Sequence, residues 1–562
     1  MKSSPNDVEL TQSEQSFCTG SEVTGSGTDG NSESHSDETD FLVFKDHGLR
    51  GLIGWLTGLQ HSVGHKLLVL LVAVQHILKG AGCTLAWKST SYLYKQYHLP
   101  AQQVQILNAV VGLPWVLKPI VGLASDVCPI KGYRKAPYMA VASIIGVGAC
   151  LVIGLLPSVW MPVHVLVGCL FLFQNQVTTT DLLTEALWAE RLQAIPSLGP
   201  DLLTFVFAGS QVSCIVAVVA SGFLIEYMGA QAVFICIAVL ACSPILPLSL
   251  GYTEESLLTT EAVAALRQKF MKHKEACALA VVMLACAVCI CITAMVSCDP
   301  TVNAAVSCLA AAVVLVTFSL VLSPVIAKFA AFSLIQTSMS LSVAGPAFYF
   351  LTDTPEEYPE GPHFSTVFFN TVLGAVGGIC SLLGFYTYHT FSAKITYRSL
   401  LVSANVALSL LHLCDVLLFS RVNLRIGLAD HVFVIGGAVL GPVISQWHWM
   451  PQVGLFSSLC PKDMEATMFA LIVGCHNLGV SVASSAGGML LQALGCNPHG
   501  APGDGEQLRR LWIASGISSL LPLLSVLLLF WLVPDGRQGE RPQGEGLDAT
   551  AGSPWRRLAQ AE

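Results

Sequence analysis

Gln174, Thr178, Asp181 and Glu185 step by four, three and four through an otherwise apolar run. That spacing puts them on one face if the run is a helix. A charge at the centre of a membrane helix costs about 2.5–3.5 kcal/mol on insertion scales. Two carboxylates on one face therefore need a wet cavity or a cation. The chemistry open to them is substrate contact or proton carriage. The plainer reading is that Glu185, with Glu190 and Arg191, caps the end of the helix, and Asp181 stands between the two readings. Two cations lie in neighbouring apolar runs. Lys79 sits in the middle of its run, three residues after His76, where snorkelling to the membrane surface is hard. An ammonium there meets an anionic substrate or pairs with Asp181. Lys118 follows the same logic and precedes Pro119, which frees a carbonyl and kinks a helix.

The later half of the chain has weaker candidates. Gln336, Gly345, Pro346, Phe348 and Tyr349 fall in one run, and an unwound Gly-Pro beside aromatics would stack a flat ring. Asp415, three residues after His412, is a further proton-coupling candidate beside Asp181 and Glu185. Gln446-Trp447-His448-Trp449 reads as interfacial or cavity-lining, with interfacial favoured because Trp collects at membrane boundaries. One imidazole without a nearby Cys or carboxylate makes no metal site. Most of the 19 cysteines fall in apolar runs and read as buried thiols. No phosphate loop, nucleotide motif or Ser-His-Asp order is present, so no catalytic residue, metal or cofactor is expected. With no basic patch, nucleic acid is not an expected partner.

These residues need a scaffold of apolar helices. The chain has 562 residues, 53% hydrophobic and 11% charged, with a mean hydropathy of +0.64. Soluble domains carry about 25% charged residues. Many windows exceed the roughly 20 apolar residues that cross a bilayer. The class is an all-α polytopic membrane protein in contact with lipid along its length. Nothing in the opening residues reads as a cleavable signal peptide. Residues 1–40 read as a disordered acidic tail and 41–66 as a juxtamembrane segment. Helices are expected near 67–88, 101–125, 136–157, 162–188, 201–227 and 230–251, forming a first six-helix half over 67–251. A charged linker follows at 252–275 and an extra helical pair at 276–322. Helices near 326–351, 363–390, 397–420, 429–456, 465–492 and 510–533 form a second half over 326–533. Residues 534–562 read as a second disordered tail. Fourteen spans result, or twelve if part of 276–322 does not cross. Two six-helix halves joined by a basic linker match the layout of the major facilitator fold.

Pro114 to Tyr138 joins the second and third helices. Gly122, Asp126, Gly132, Arg134 and Lys135 have the spacing of a two-helix gate, and a charge relay with the neighbouring half is expected there. The Lys/Arg bias puts this loop, the linker and both termini in the cytosol. Lys88, Lys95, Arg421 and Arg425 are exceptions on the outer side.

Pro114-Trp115-x-x-Lys118-Pro119-x-x-Gly122-x-x-Ser125-Asp126, then Pro129-x-x-Gly132-Tyr133-Arg134, resembles the signature of the folate-biopterin transporter family. Met450-Pro451, Leu459-Cys460-Pro461, Glu465, Thr467, Phe469-Ala470 and Asn477-Leu478-Gly479 form a second matching block. Pro346 to Thr352, with Leu383-Gly384, Tyr388 and Arg398, forms a third. The resemblance runs from about 67 to 533. It implies a major facilitator fold and uptake of pteridines, folates or, in some parasite members, S-adenosylmethionine. The acidic tail suggests a protozoan member. The family's gate carries over to Lys118, Gly122, Asp126 and Arg134, and its fourth-helix acids to Asp181 and Glu185. A glutamine near the position of Lys79 in other branches bears on the charge of the cargo.

The resulting expectation is a secondary transporter in the plasma membrane or an organellar one, coupled to protons. Lys79, Trp115, Lys118, Gln174, Asp181, Phe348 and Tyr349 would line its substrate site. The rivals are a receptor of the same fold without turnover, and a lipid transferase using His448 as base.

Overall fold

The computed structural model describes residues 39–195, 199–259, 261, 263–264, 268, 274–392, 395–460, 465–537 and 549–559. The expected tail before residue 39, ten residues of the linker (260, 262, 265–267 and 269–273), and residues 538–548 and 560–562 lie outside the described residues.

Helix α1 (Thr39–Val63) precedes the long helices. The first six long helices are α2 (His65–Gln96), α3 (Ala101–Val127), α4 (Ala136–Leu155), α5 (Val163–Ala194), α6 (Gly199–Met228) and α7 (Ala230–Ser249). Then come α8 (Lys274–Val296) and α9 (Pro300–Val321). The last six are α10 (Pro324–Thr352), α11 (Val367–Phe391), α12 (Tyr397–Phe419), α13 (Asp430–Ser458), α14 (Glu465–Leu494) and α15 (Asp504–Leu532). Every expected span has its helix. Among the described residues, thirteen of these helices are long and apolar enough to cross a membrane. Two long helices fall outside that count: the 25-residue α1, and α5, whose 32 residues include Asp181, Glu185, Glu190 and Arg191. Of the fourteen expected spans, the one that fails on apolarity is the one that carries the candidate site.

The helices alternate in direction, so the molecule has two ends. One carries the loop from Asp126 to Lys135, and the other carries Asp353. The first and last six helices meet along two seams, α3 against α14 and α6 against α11. The pair α8 and α9 packs on α14, and α8 also touches α3, so the pair lies against the first seam. Small residues set how closely the second seam closes. A Cβ on Gly222 of α6 would run into Thr371 and the backbone of Val367.

Three interruptions matter for the site. In α2, Val72–Cys83 is a π-helical stretch, a rare widening that is frequent at functional positions. It carries Gln75, His76 and Lys79. In α3, the helix breaks at Leu117, between Ala101–Val116 and Lys118–Val127. Pro119 has no N–H to continue the ladder, and the break re-aims Lys118. In α10, the interruption spans Ser340–Val343, before Gly345. The Gly345-Pro346 pair therefore opens a new helix turn and is not itself unwound, since Pro is tolerated in a first turn.

Candidate functional site

Asp181 is fully buried on α5. Its Oδ1 accepts from Lys79 Nζ at 2.7 Å and from Gln75 Nε2 at 2.9 Å. Its Oδ2 accepts from Lys118 Nζ at 2.7 Å. One carboxylate is thus held by two ammoniums from two other helices. Gln75 also donates to Thr184 Oγ1 at 3.0 Å, which fixes its amide. Gln75 and Lys79 are four residues apart and reach the same oxygen from the π-helical stretch. Lys118 reaches on to Glu185 at 3.5 Å and lies 4.9 Å over the Trp115 ring. Trp115 Nε1 donates to Gln174 at 3.4 Å. Lys79, Lys118, Asp181 and Glu185 together carry two charges of each sign when ionised.

Exposure along α5 shows how the site is reached. Gln174 and Thr178 are 2% and 1% exposed. The Asp181 side chain is at 0%, Glu185 at 35% and Glu190 at 51%. Access therefore opens from the Lys135 end and stops at Asp181. Lys79 keeps 27% exposure with one carboxylate partner, whereas Lys118 keeps 12% with two. Lys79 is therefore the more exposed and the less paired of the two cations.

The Asp353 end is shut. Lys95 on α2 pairs with Asp353 at 2.7 Å and Glu357 at 2.9 Å, just beyond α10. Tyr349 Oη donates to the Leu99 carbonyl at 2.7 Å, and Ala101 N donates to the Pro498 carbonyl at 2.9 Å. Burial pushes the Asp353 carboxyl up to about 6, against the lowering effect of Lys95. Burial also acts on Glu357, but bonds from Thr354 and Lys95 outweigh it and hold that carboxyl low.

The remaining sequence candidates separate. Phe348 and Tyr349 are buried in the shut seam with Ala101, beside a cavity of about 40 Å³. That space holds only a few waters, and the two rings lie in the seam rather than on the Asp181 cluster. Asp415 is half-buried on α12 and pairs with no described residue. The gate residues form ion pairs. Arg134 reaches Asp126 at 3.8 Å and Glu190 at 3.5 Å, and Lys135 reaches Glu190 at 2.6 Å. The Lys135 backbone N–H donates to Glu255 at 2.9 Å. Among the described residues, the partners of Arg134 and Lys135 lie between residues 126 and 255. A bridge between the first and last six helices lies at the opposite end, through Lys95.

Of the two readings of His448, interfacial and cavity-lining, the interfacial one is corrected. His448 Nε2 is 2.7 Å from Gln336 Nε2, inside the last six helices. Its Trp447 neighbour donates to Thr387 at 3.0 Å. A Trp-His-Trp triplet looks interfacial because Trp gathers there, yet successive residues on a helix face different ways. Gln75, Lys95 as a lock, Gln452 and His476 were missed. A spacing of four within apolar runs, as in Gln75–Lys79 and His448–Gln452, was the available signal.

A profile of the BT1 family matches residues 79–546. The chain belongs to the BT1 family. "Probable folate-biopterin transporter 6" of Arabidopsis thaliana is 26% identical over 482 residues, covering 86% of this chain and 85% of its own. The folate-biopterin transporter of a Synechocystis strain is 26% identical over 423 residues, covering 74% and 73%. Folate transporter 2 of Plasmodium falciparum is 23% identical over 412 residues, covering 70% and 74%. Plants, a cyanobacterium and a protozoan parasite are all represented. The relatives are transporters, which sets this BT1 chain apart from enzymes. A point mutant of the nucleoside transporter NupG superposes with a TM-score of 0.54 at 11% identity, over 82% of this chain and 98% of its own. A D-xylose-proton symporter gives 0.52 at 14%, over 88% and 100%. These likenesses show the fold, that of a major facilitator.

Proposed function

We propose that the chain is a secondary transporter for pteridines and folates that works by alternating access. The observation that carries this reading is the Lys79–Asp181–Lys118 cluster, open from the Lys135 end. An anionic cargo entering there competes with Asp181 for Lys79. While Lys79 holds the cargo, Asp181 keeps Lys118 and Gln75. Release of the cargo restores the buried pair. The names of the relatives support the cargo class, because folate joins a flat pterin to carboxylates. The glutamate side chain of folate suits Lys79. S-adenosylmethionine also carries a carboxylate and is the competing cargo.

In this reading residues 67–251 and 326–533 are the two rocking halves, with 252–275 as linker and 276–322 as a pair braced on one seam. The Lys135 end, both termini and the linker are cytosolic, as the Lys/Arg bias suggests, and the membrane is the plasma membrane. The Lys95 lock then closes the outer side. Protons accompany the cargo through Asp181 or Glu185, which exchange a proton when Lys79 or Lys118 moves away. One inward proton supplies about 2.3 kcal/mol per 100 mV. The test is uptake of radiolabelled folate, biopterin and S-adenosylmethionine in a transport-null cell. Saturable uptake of a pterin with counterflow supports the reading. Binding without counterflow supports a receptor and contradicts it, and preference for S-adenosylmethionine reassigns the cargo.

A further inference from the structure

A second polar cluster lies on the last six helices, and the charged site makes no use of it. Its members are Gln336 on α10, His448 and Gln452 on α13, and His476 on α14. Asn405 fixes the orientation of Gln336. Asn405 Nδ2 donates to the Leu401 carbonyl at 2.7 Å, so its Oδ1 is the acceptor for Gln336 Nε2 at 2.7 Å. Gln336 Nε2 also faces His448 Nε2 at 2.7 Å, as Gln452 Nε2 does at 3.5 Å. Two amide donors on one ring nitrogen make it the acceptor, so the His448 proton sits on Nδ1. His476 is set in the opposite sense. The Thr337 hydroxyl already donates to the Ser333 carbonyl at 2.8 Å. It therefore accepts from His476 Nδ1 at 3.0 Å, as does the Ser333 hydroxyl at 3.3 Å, whose own proton goes to Gln452 Oε1 at 3.4 Å, which leaves His476 Nε2 as the acceptor.

Three valences remain without a protein partner among the described residues. Gln336 is 1% exposed and its Oε1 is an unpaired acceptor. His448 Nδ1 is an unpaired donor, and His476 Nε2 an unpaired acceptor. Of the three, Gln336 Oε1 is the fully buried one, and an unpaired buried polar atom costs about 1–3 kcal/mol, so a ligand that pairs with it gains. No carboxylate, lysine or arginine belongs to the cluster, so its ligand is neutral where it binds. The half-buried Trp449 ring lies 4.8 Å from the His476 ring and offers a stacking face. The cluster is tied to the charged site. Asn477, next to His476, donates to the Trp115 carbonyl at 3.2 Å, and the Trp115 ring lies under Lys118.

We propose that Gln336, His448 and His476 form a ring-reading subsite for a planar, uncharged nitrogen heterocycle that presents both N–H donors and acceptors on one edge. This rests on the pteridine reading above and deepens it. The heterocycle binds the last six helices through these three valences and Trp449. Any carboxylate attached to it reaches Lys79 across the seam. One ligand then touches both groups of helices.

The test is equilibrium binding to the purified full-length protein in lipid nanodiscs with two probes. Biopterin carries the ring and no carboxylate, and p-aminobenzoylglutamate carries carboxylates and no pterin ring. Gln336→Leu and His448→Phe each lower biopterin affinity by about tenfold or more, the worth of one to two hydrogen bonds. Each leaves p-aminobenzoylglutamate affinity within about threefold of the unmodified protein and elutes as a single species. If one variant does not fold, the other decides. Unchanged biopterin affinity in a folded variant overturns the subsite while leaving the transport reading intact, and so does equal loss of both probes. An unmodified protein that binds neither probe overturns the pteridine reading and the subsite together.

Discussion

Lys95 and Asp353 meet at 2.7 Å although 258 residues separate them. Their contact ties α2 to the loop after α10 and keeps the Asp353 end shut. Asp353 Oδ2 has no partner among the described residues, so a proton has a place to sit. The carboxyl is pushed up to about 6 by burial in this shut state, and has its ordinary value of about 4 when the end opens and it meets water. The state with the higher pKa binds the proton more tightly. Lowering pH from 7 through 6 toward 4 therefore favours the shut state, by about an order of magnitude once solvent screening is allowed for. Glu357, held low, works the other way only at more acid pH. Distances between spin labels across the Asp353 end, followed from pH 7.5 to 5, shift toward the shut population. Asp353→Asn flattens that response, and persistence of the full response in that variant would rule Asp353 out as its source.

Gly222 packs where a side chain has no room against Thr371 and Val367. Gly222→Leu keeps the helix but forces α6 and α11 apart. The Asp353 end then stays open, and cysteine pairs placed across that end lose crosslinking. Crosslinking at the unmodified level would show that this seam is not what sets the closure.

The two ammoniums at Asp181 compensate a charge that is costly alone. Asp181→Ala leaves Lys79 and Lys118 with only Glu185. Removing one partner of a buried pair costs about 3–5 kcal/mol, enough to lower the melting temperature in detergent by several degrees or more. Adding Lys118→Met to Asp181→Ala recovers most of that loss. A double variant no more stable than the single one would mean that the charges are not coupled.

The helices and the α5 face were legible because each rests on local periodicity. Fourteen apolar runs are readable as such, and the spacing of Gln174, Thr178, Asp181 and Glu185 is a property of one helix. Lys79 and Lys118 stood out because a cation inside an apolar run is expensive. The Lys95 lock was invisible for the opposite reason. Lys95 sits at a helix end, where cations are common, and its partners are hundreds of residues away. The amide and histidine cluster was passed over because neutral polar residues in apolar helices also serve packing. Only the fold shows that Gln336, His448 and His476 come from three helices to one place. The gate charges form ion pairs with one another and with Glu190. Glu190 lies 56 residues from Arg134 and 55 from Lys135, a pairing that local spacing does not encode.

The central claim is that a carboxylated cargo takes Lys79 from Asp181. It is tested most directly by comparing folate and biopterin uptake in cells expressing Lys79→Met at the same surface level as the unmodified protein. Folate carries the carboxylates and biopterin does not. The account predicts that folate uptake falls by about tenfold or more, in line with the loss of a charge-assisted bond, while biopterin uptake falls by less than about threefold. Folate uptake at the unmodified level, or an equal fall for both, would contradict it.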